Sequence, residues 1–112
     1  MASCASDIIA TGLREGVDPG TDFYYCSLGL QLAARTAEII DGKSWNEVFI
    51  DRFAGPLNMP DTNFGSSPNP RVAGDASSSL QDYVNFLSAL LHDGVLGATR
   101  VYSVTNAMEM KT

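Results

Sequence analysis

Apolar residues recur along this chain at helical spacing, and glycine, proline and small polar residues punctuate them. Leu28, Leu32 and Ile39, widened by Leu30, Ala33, Ala37 and Ile40, predict a helix from about Ser27 to Asp41. Gly42 follows where a left-handed terminal residue is wanted. Ser44-Trp45-Asn46-Glu47 is a capping box, in which Ser44 accepts from the third backbone N–H and Glu47 reaches back. Trp45, Val48, Phe49 and Phe53 then form a stripe read as buried core, ended by Gly55-Pro56. The clearest helix opens at Ser79 and stops at His92-Asp93-Gly94; its Leu80, Tyr83, Val84, Leu87 and Leu91 form an i, i+3, i+4, i+7 set, with Phe86 and Leu90 alongside. Two shorter helices are predicted, one from Asp7 to Arg14 capped by Ser6 and ended by Gly16. The other starts near Ser103 and carries Val104, Ala107 and Met108.

Between these elements, Asp18-Pro19-Gly20-Thr21-Asp22 reads as a turn and Phe23-Tyr24-Tyr25 as a brief extended aromatic run. From Asn58 to Ser79 the chain is aperiodic and rich in Pro, Gly, Ser and Asn. That is long for a connector in a compact domain, so it is either functional or packed against something else. No internal repeat and no convincing pair of strands is evident. The expectation is a mainly α chain with one long irregular loop.

Composition narrows the function classes. With 112 residues there is room for one domain. The 13 acidic against 7 basic residues give a net charge of -6, which repels phosphate backbones and argues against nucleic-acid binding. No apolar run approaches the roughly 20 residues that span a bilayer. Met1 to Asp7 lacks the basic start and apolar stretch of an export signal, so the location is left as cytoplasmic by default. Cys4 and Cys26 cannot make a disulfide framework or a metal site by themselves, and Cys26 among apolar neighbours reads as a small packed residue.

The catalytic inventory is thin. The lone histidine, His92, reads as a helix-terminal residue, and Asp93 beside it does not face it. No Gly-x-Ser-x-Gly elbow occurs, and neither Lys43 nor Lys111 has a serine three residues before it. No zinc spacing and no phosphate-cradling glycine loop is present, so neither metal nor cofactor is expected.

One set of linked blocks is more specific. Pro19-Gly20-Thr21-Asp22-Phe23-Tyr24-Tyr25-Cys26-Ser27-Leu28-Gly29 leads to Ile39-Ile40-Asp41-Gly42-Lys43-Ser44-Trp45, then to Pro56-Leu57-Asn58-Met59-Pro60-Asp61-Thr62-Asn63-Phe64. Ala73-Gly74-Asp75-Ala76-Ser77-Ser78-Ser79-Leu80-Gln81-Asp82-Tyr83 and Leu91-His92-Asp93-Gly94 follow in order. From about Val17 to Met110 the chain resembles the serine β-lactamase and penicillin-binding-protein superfamily, on the side of class C β-lactamases, DD-peptidases and related esterases. The resemblance implies the helical subdomain of an α/β serine hydrolase, a single partial domain over residues 1–112.

By that resemblance Tyr25 is the catalytic tyrosine of a Tyr-x-Asn motif, which moves the nucleophilic serine's proton. Ser27 takes the substrate-contacting position where asparagine is usual, and its hydroxyl is shorter with one donor. The family's Ser-x-x-Lys and Lys-Thr-Gly elements have no counterpart here, nor does its sheet. A phenol is a poor base at neutral pH without cations beside it. The implied function is a fragment of a serine hydrolase that transfers acyl groups from an ester, β-lactam or peptide substrate, inactive alone. The alternative is a non-enzymatic helical module that binds a complementing chain or a second copy through an exposed apolar face.

Overall fold

The computed structural model describes residues 2–11, 16–18 and 20–112. Among the described residues five α-helices follow in order: α1 (Ala2–Thr11), α2 (Ser27–Asp41), α3 (Trp45–Phe49), α4 (Leu80–Leu91) and α5 (Val104–Lys111). A two-stranded antiparallel hairpin, β1 (Val95–Leu96) and β2 (Thr99–Arg100), lies between α4 and α5. The mainly α expectation therefore holds, with one strand pair that the sequence reading missed.

The helix starts follow the chemistry of their caps. Ser44 accepts from the Glu47 amide while the Glu47 carboxylate accepts from the Ser44 N–H at 2.9 Å, completing the capping box. Ser79 and Ser103 likewise accept from Asp82 and Asn106. Gly42 ends α2 at a φ of 65°, and its N–H donates to the Glu38 carbonyl. α1 departs from expectation, since it begins at Ala2 rather than at a Ser6 cap. Ser6 sits inside it, its hydroxyl donating to the Ala2 carbonyl at 3.2 Å. The expected end at Arg14 lies outside the described residues.

Beyond α3 the helix widens instead of stopping. Ile50–Ala54 is a π-helical turn, in which the Gly55 N–H donates five residues back to Ile50 at 2.8 Å. Pro56 has no N–H to offer, so the wide turn is where the helix unwinds. The hairpin escaped notice because its strands are two residues each, with Val95 opposite Arg100 and Leu96 opposite Thr99. Gly94 before it has no substitute: φ is +87° and a Cβ would fall 2.2 Å from the Tyr102 carbonyl oxygen.

Ala54, Leu57, Met59 and Ala89 form the centre of the core, with Phe49, Phe53, Phe86, Leu96, Val101 and Tyr102 packed around them. Ring contacts run from Trp45 through Phe64, Phe49 and Phe53 to Phe86, with centroids 5.0–5.7 Å apart. The expected stripe of Trp45, Phe49 and Phe53 is thus core on one side and half-buried on the other. Burial without a hydrogen-bond partner for its hydroxyl pushes the Tyr102 phenol up from its ordinary value.

The 58–79 loop lies on this core through two buried polar side chains. Asp82, 2% exposed, accepts from the Asp61 N–H and the Thr62 hydroxyl, each at 2.8 Å. Gln31 of α2 donates to the Pro70 carbonyl at 2.9 Å and accepts from the Val72 N–H at 3.2 Å. An antiparallel bridge of Asn63 with Ser77 closes the loop between them.

The apolar row of α4 faces away from the core. Asp82 and Ala89 face inward, whereas Leu80, Val84, Leu87 and Leu91 are 81%, 48%, 38% and 74% exposed. The apolar stripe is real, but it points away from the core present here, because the loop anchor Asp82 fixes the opposite face inward.

Two outcomes are expected. Asp82→Ala leaves the Asp61 N–H and Thr62 hydroxyl without their acceptor and lowers unfolding stability in urea by about 2–4 kcal/mol. Thr62→Val costs less, and in a double-mutant cycle the pair couples by about 1 kcal/mol. Hydrogen bonds from Arg52, from the Ser44 hydroxyl, from the Arg71 N–H and from Lys111 hold the Asp41, Glu47, Asp75 and Asp93 carboxyls, respectively, below the usual range. Carboxyls depressed on folding stabilise the native state above their unfolded values, near pH ~4, and lose that contribution as pH falls through their folded values. The urea midpoint therefore holds level down to about pH 5 and then declines, less steeply in Glu47→Gln.

Candidate functional site

Before α2 the Asp18–Thr21 turn closes as expected, the Thr21 N–H donating to the Asp18 carbonyl at 3.2 Å. Gly20 beside it takes a φ of 82°. The chain then runs without regular structure to Cys26, which precedes α2 in an extended conformation at φ −149° and ψ 151°. A side chain on such a segment has no helix to lean on. Phe23 and Tyr25 accordingly stand 85% and 81% exposed.

Ser27 is the first residue of α2 and lines a groove of about 360 Å³. α1 contributes Cys4 and Ile8, α2 adds Leu28 and Gln31, and the loop supplies Asn69, Arg71, Ala73 and Gly74. Gln31 sets the loop wall by its bonds to Pro70 and Val72. Arg71 turns its guanidinium to Asp75 at 2.8 Å. The groove therefore offers apolar walls, one hydroxyl and a cation already paired.

The structure brings Ser27 to this groove and leaves Tyr25 off its walls, facing solvent. The described lysines and arginines are engaged elsewhere. Arg35 pairs with Glu38, Lys43 with Asp51, Arg52 with Asp41 and Lys111 with Asp93, while Arg100 donates to the Asp93 carbonyl. His92 caps α4, its Nδ1 2.7 Å from the Ser88 carbonyl oxygen, as a helix-terminal residue does. Cys26 is half-buried and carries a free thiol. Among the described residues no three of His, Cys, Asp and Glu gather as a metal site. No described helix is long and apolar enough to cross a membrane.

Sequence reasoning missed Gln31, Asn69 and Arg71. A glutamine between Leu28 and Leu32 on an apolar helix face was the one legible signal, because a polar residue there needs a partner.

The family model for beta-lactamase matches residues 8–111. The chain belongs to the β-lactamase family. It is similar to penicillin-binding protein 4 of Amycolatopsis lactamdurans, 28% identical over 83% of this chain and 32% of that protein. A crystal structure from Bacteroides dorei DSM 17855, of a protein named for the beta-lactamases, superposes at a TM-score of 0.85. It is 28% identical and covers 99% of this chain and 34% of that one. This β-lactamase-family chain spans about a third of the length of both relatives. Family and superposition agree with a mostly helical piece of that fold related to serine hydrolases.

The groove yields its own prediction. Gln31→Leu strips the Pro70 carbonyl and Val72 N–H of their partners and lowers stability by about 1–3 kcal/mol in urea denaturation. Amide exchange at Val72 should quicken more than exchange within α4.

Proposed function

We propose that this chain forms the tyrosine-bearing part of a serine hydrolase that transfers an acyl group from an ester, β-lactam or peptide. In such a reaction a serine hydroxyl gives up its proton as it attacks the carbonyl, and the leaving group takes a proton as it departs. Tyr25 is the residue that moves this proton, and Ser27 contacts the acyl portion of the substrate from the groove. The observation that carries the reading is the pairing of an 81% exposed phenol with a groove-lining hydroxyl two residues on, at the start of α2. A phenol so placed is free to meet groups supplied from outside these residues.

The 112 residues hold no serine three positions before a lysine, so the chain alone is catalytically silent. Mixed with p-nitrophenyl acetate, it releases nitrophenol no faster than Tyr25→Phe does, and without a stoichiometric burst. A burst that Tyr25→Phe abolishes would show a nucleophile within these residues and overturn the reading.

A second reading, a non-enzymatic helical module that binds a partner, is favoured by the outward apolar stripe of α4. The two readings share one requirement, a surface that something else covers.

A further inference from the structure

The groove beside Ser27 is apolar where it is open and polar where it is already bonded. Cys4 and Ile8 of α1, Leu28 of α2 and Ala73 of the loop supply the apolar walls. The Gln31 amide is engaged by the fold: it donates to the Pro70 carbonyl at 2.9 Å and to the Asn69 side-chain oxygen at 3.4 Å, and it accepts from the Val72 N–H at 3.2 Å. Arg71 is the one charged residue lining the groove among the described residues. Its Nε and Nη2 donate to one Asp75 oxygen at 3.0 and 2.8 Å, and its N–H donates to the other at 3.0 Å. A guanidinium closed on a carboxylate in this way has little left for a second anion.

The size and charge of an occupant follow from these walls. A volume of about 360 Å³ falls within the scale of small-molecule sites, and a cavity of about 150 Å³ already holds one benzene ring. A carboxylate entering the groove would give up water and find its one cation taken, which is costly. The net charge of -6 repels it at longer range as well. A phenyl ring or short aliphatic chain meets neither obstacle and gains by leaving water. The Ser27 hydroxyl adds one group able to donate to a neutral carbonyl.

We infer that this groove selects uncharged, apolar acyl groups of the size of phenylacetyl and rejects acyl groups that carry a carboxylate. The inference rests on the proposed function for taking the occupant to be the acyl portion of a substrate. It adds which acyl portions are accepted, and it makes Leu28 and Ala73 specificity-determining residues.

The test is an amide-shift titration of the isotope-labelled 112-residue chain with three probes. They are phenylacetamide, acetamide, and the monoamide of phenylmalonic acid, which differs from the first by one carboxylate. Phenylacetamide should shift the backbone amides of Leu28, Ala73 and Gly74 and the side-chain amide of Gln31. It should bind at least about tenfold more tightly than either of the others. Leu28→Asp sets a carboxylate on the wall in the first turn of α2, where a helix favours one, and Ala73→Leu fills the groove from the loop. Each should weaken phenylacetamide at least about fivefold, with circular dichroism checking that the helices persist. The probe comparison itself needs no variant. No shifts at these groups, parity among the probes, tighter binding of the charged monoamide, or binding indifferent to both variants each overturn the inference. A nitrophenol burst that Tyr25→Phe abolishes rejects the proposed function and leaves the probe preference standing. A burst-free chain that shows no preference for phenylacetamide rejects the acyl selectivity alone.

Discussion

A carboxylate withdrawn from water must find donors where it is buried, and in this chain Asp82 finds them on the far side of the long loop. Its acceptance of the Asp61 N–H and the Thr62 hydroxyl joins two sequence blocks twenty residues apart. Breaking one partner of such an arrangement leaves the other stranded, which makes the geometry all-or-none. Leu57 and Met59, just before the bound turn, are thereby pressed into the core beside Ala89. The same anchor fixes the rotation of α4 about its axis, and so decides which of its two apolar sides looks outward.

Gln31 does for the other end of the loop what Asp82 does for the first. A primary amide can donate and accept at once, and Gln31 uses both capacities on Pro70 and Val72. The groove beside Ser27 exists because that loop wall is held against α2. Structure and candidate chemistry thus share a cause: polar side chains inside helices order an aperiodic segment that has little regular backbone pairing of its own.

Much of this was legible in the sequence because it is local. Ser44 with Glu47, Ser79, Ser103 and Gly42 mark helix ends by hydrogen bonds that span three or four residues, and each stands where its chemistry demands. What escaped is what depends on distant partners. Two-residue strands carry no periodicity, and the π turn at Ile50–Ala54 has no composition of its own. The stripe of α4 was legible as apolar, but spacing alone does not report which way such a face points. Tyr25 is the extreme case: nothing local distinguishes it from a packed aromatic, and only its place in a row of family-like blocks singles it out.

The central claim is that two buried side chains turn this loop and its helices into one folded unit. Native-state hydrogen exchange on the 112-residue chain tests it most directly, at the Asp61 and Val72 amides that donate to Asp82 and Gln31. The account predicts that both exchange as slowly as the amide of Ala89 inside α4, opening only with the whole. Exchange at those two amides near the rate of an unstructured peptide, while Ala89 stays protected, would contradict it.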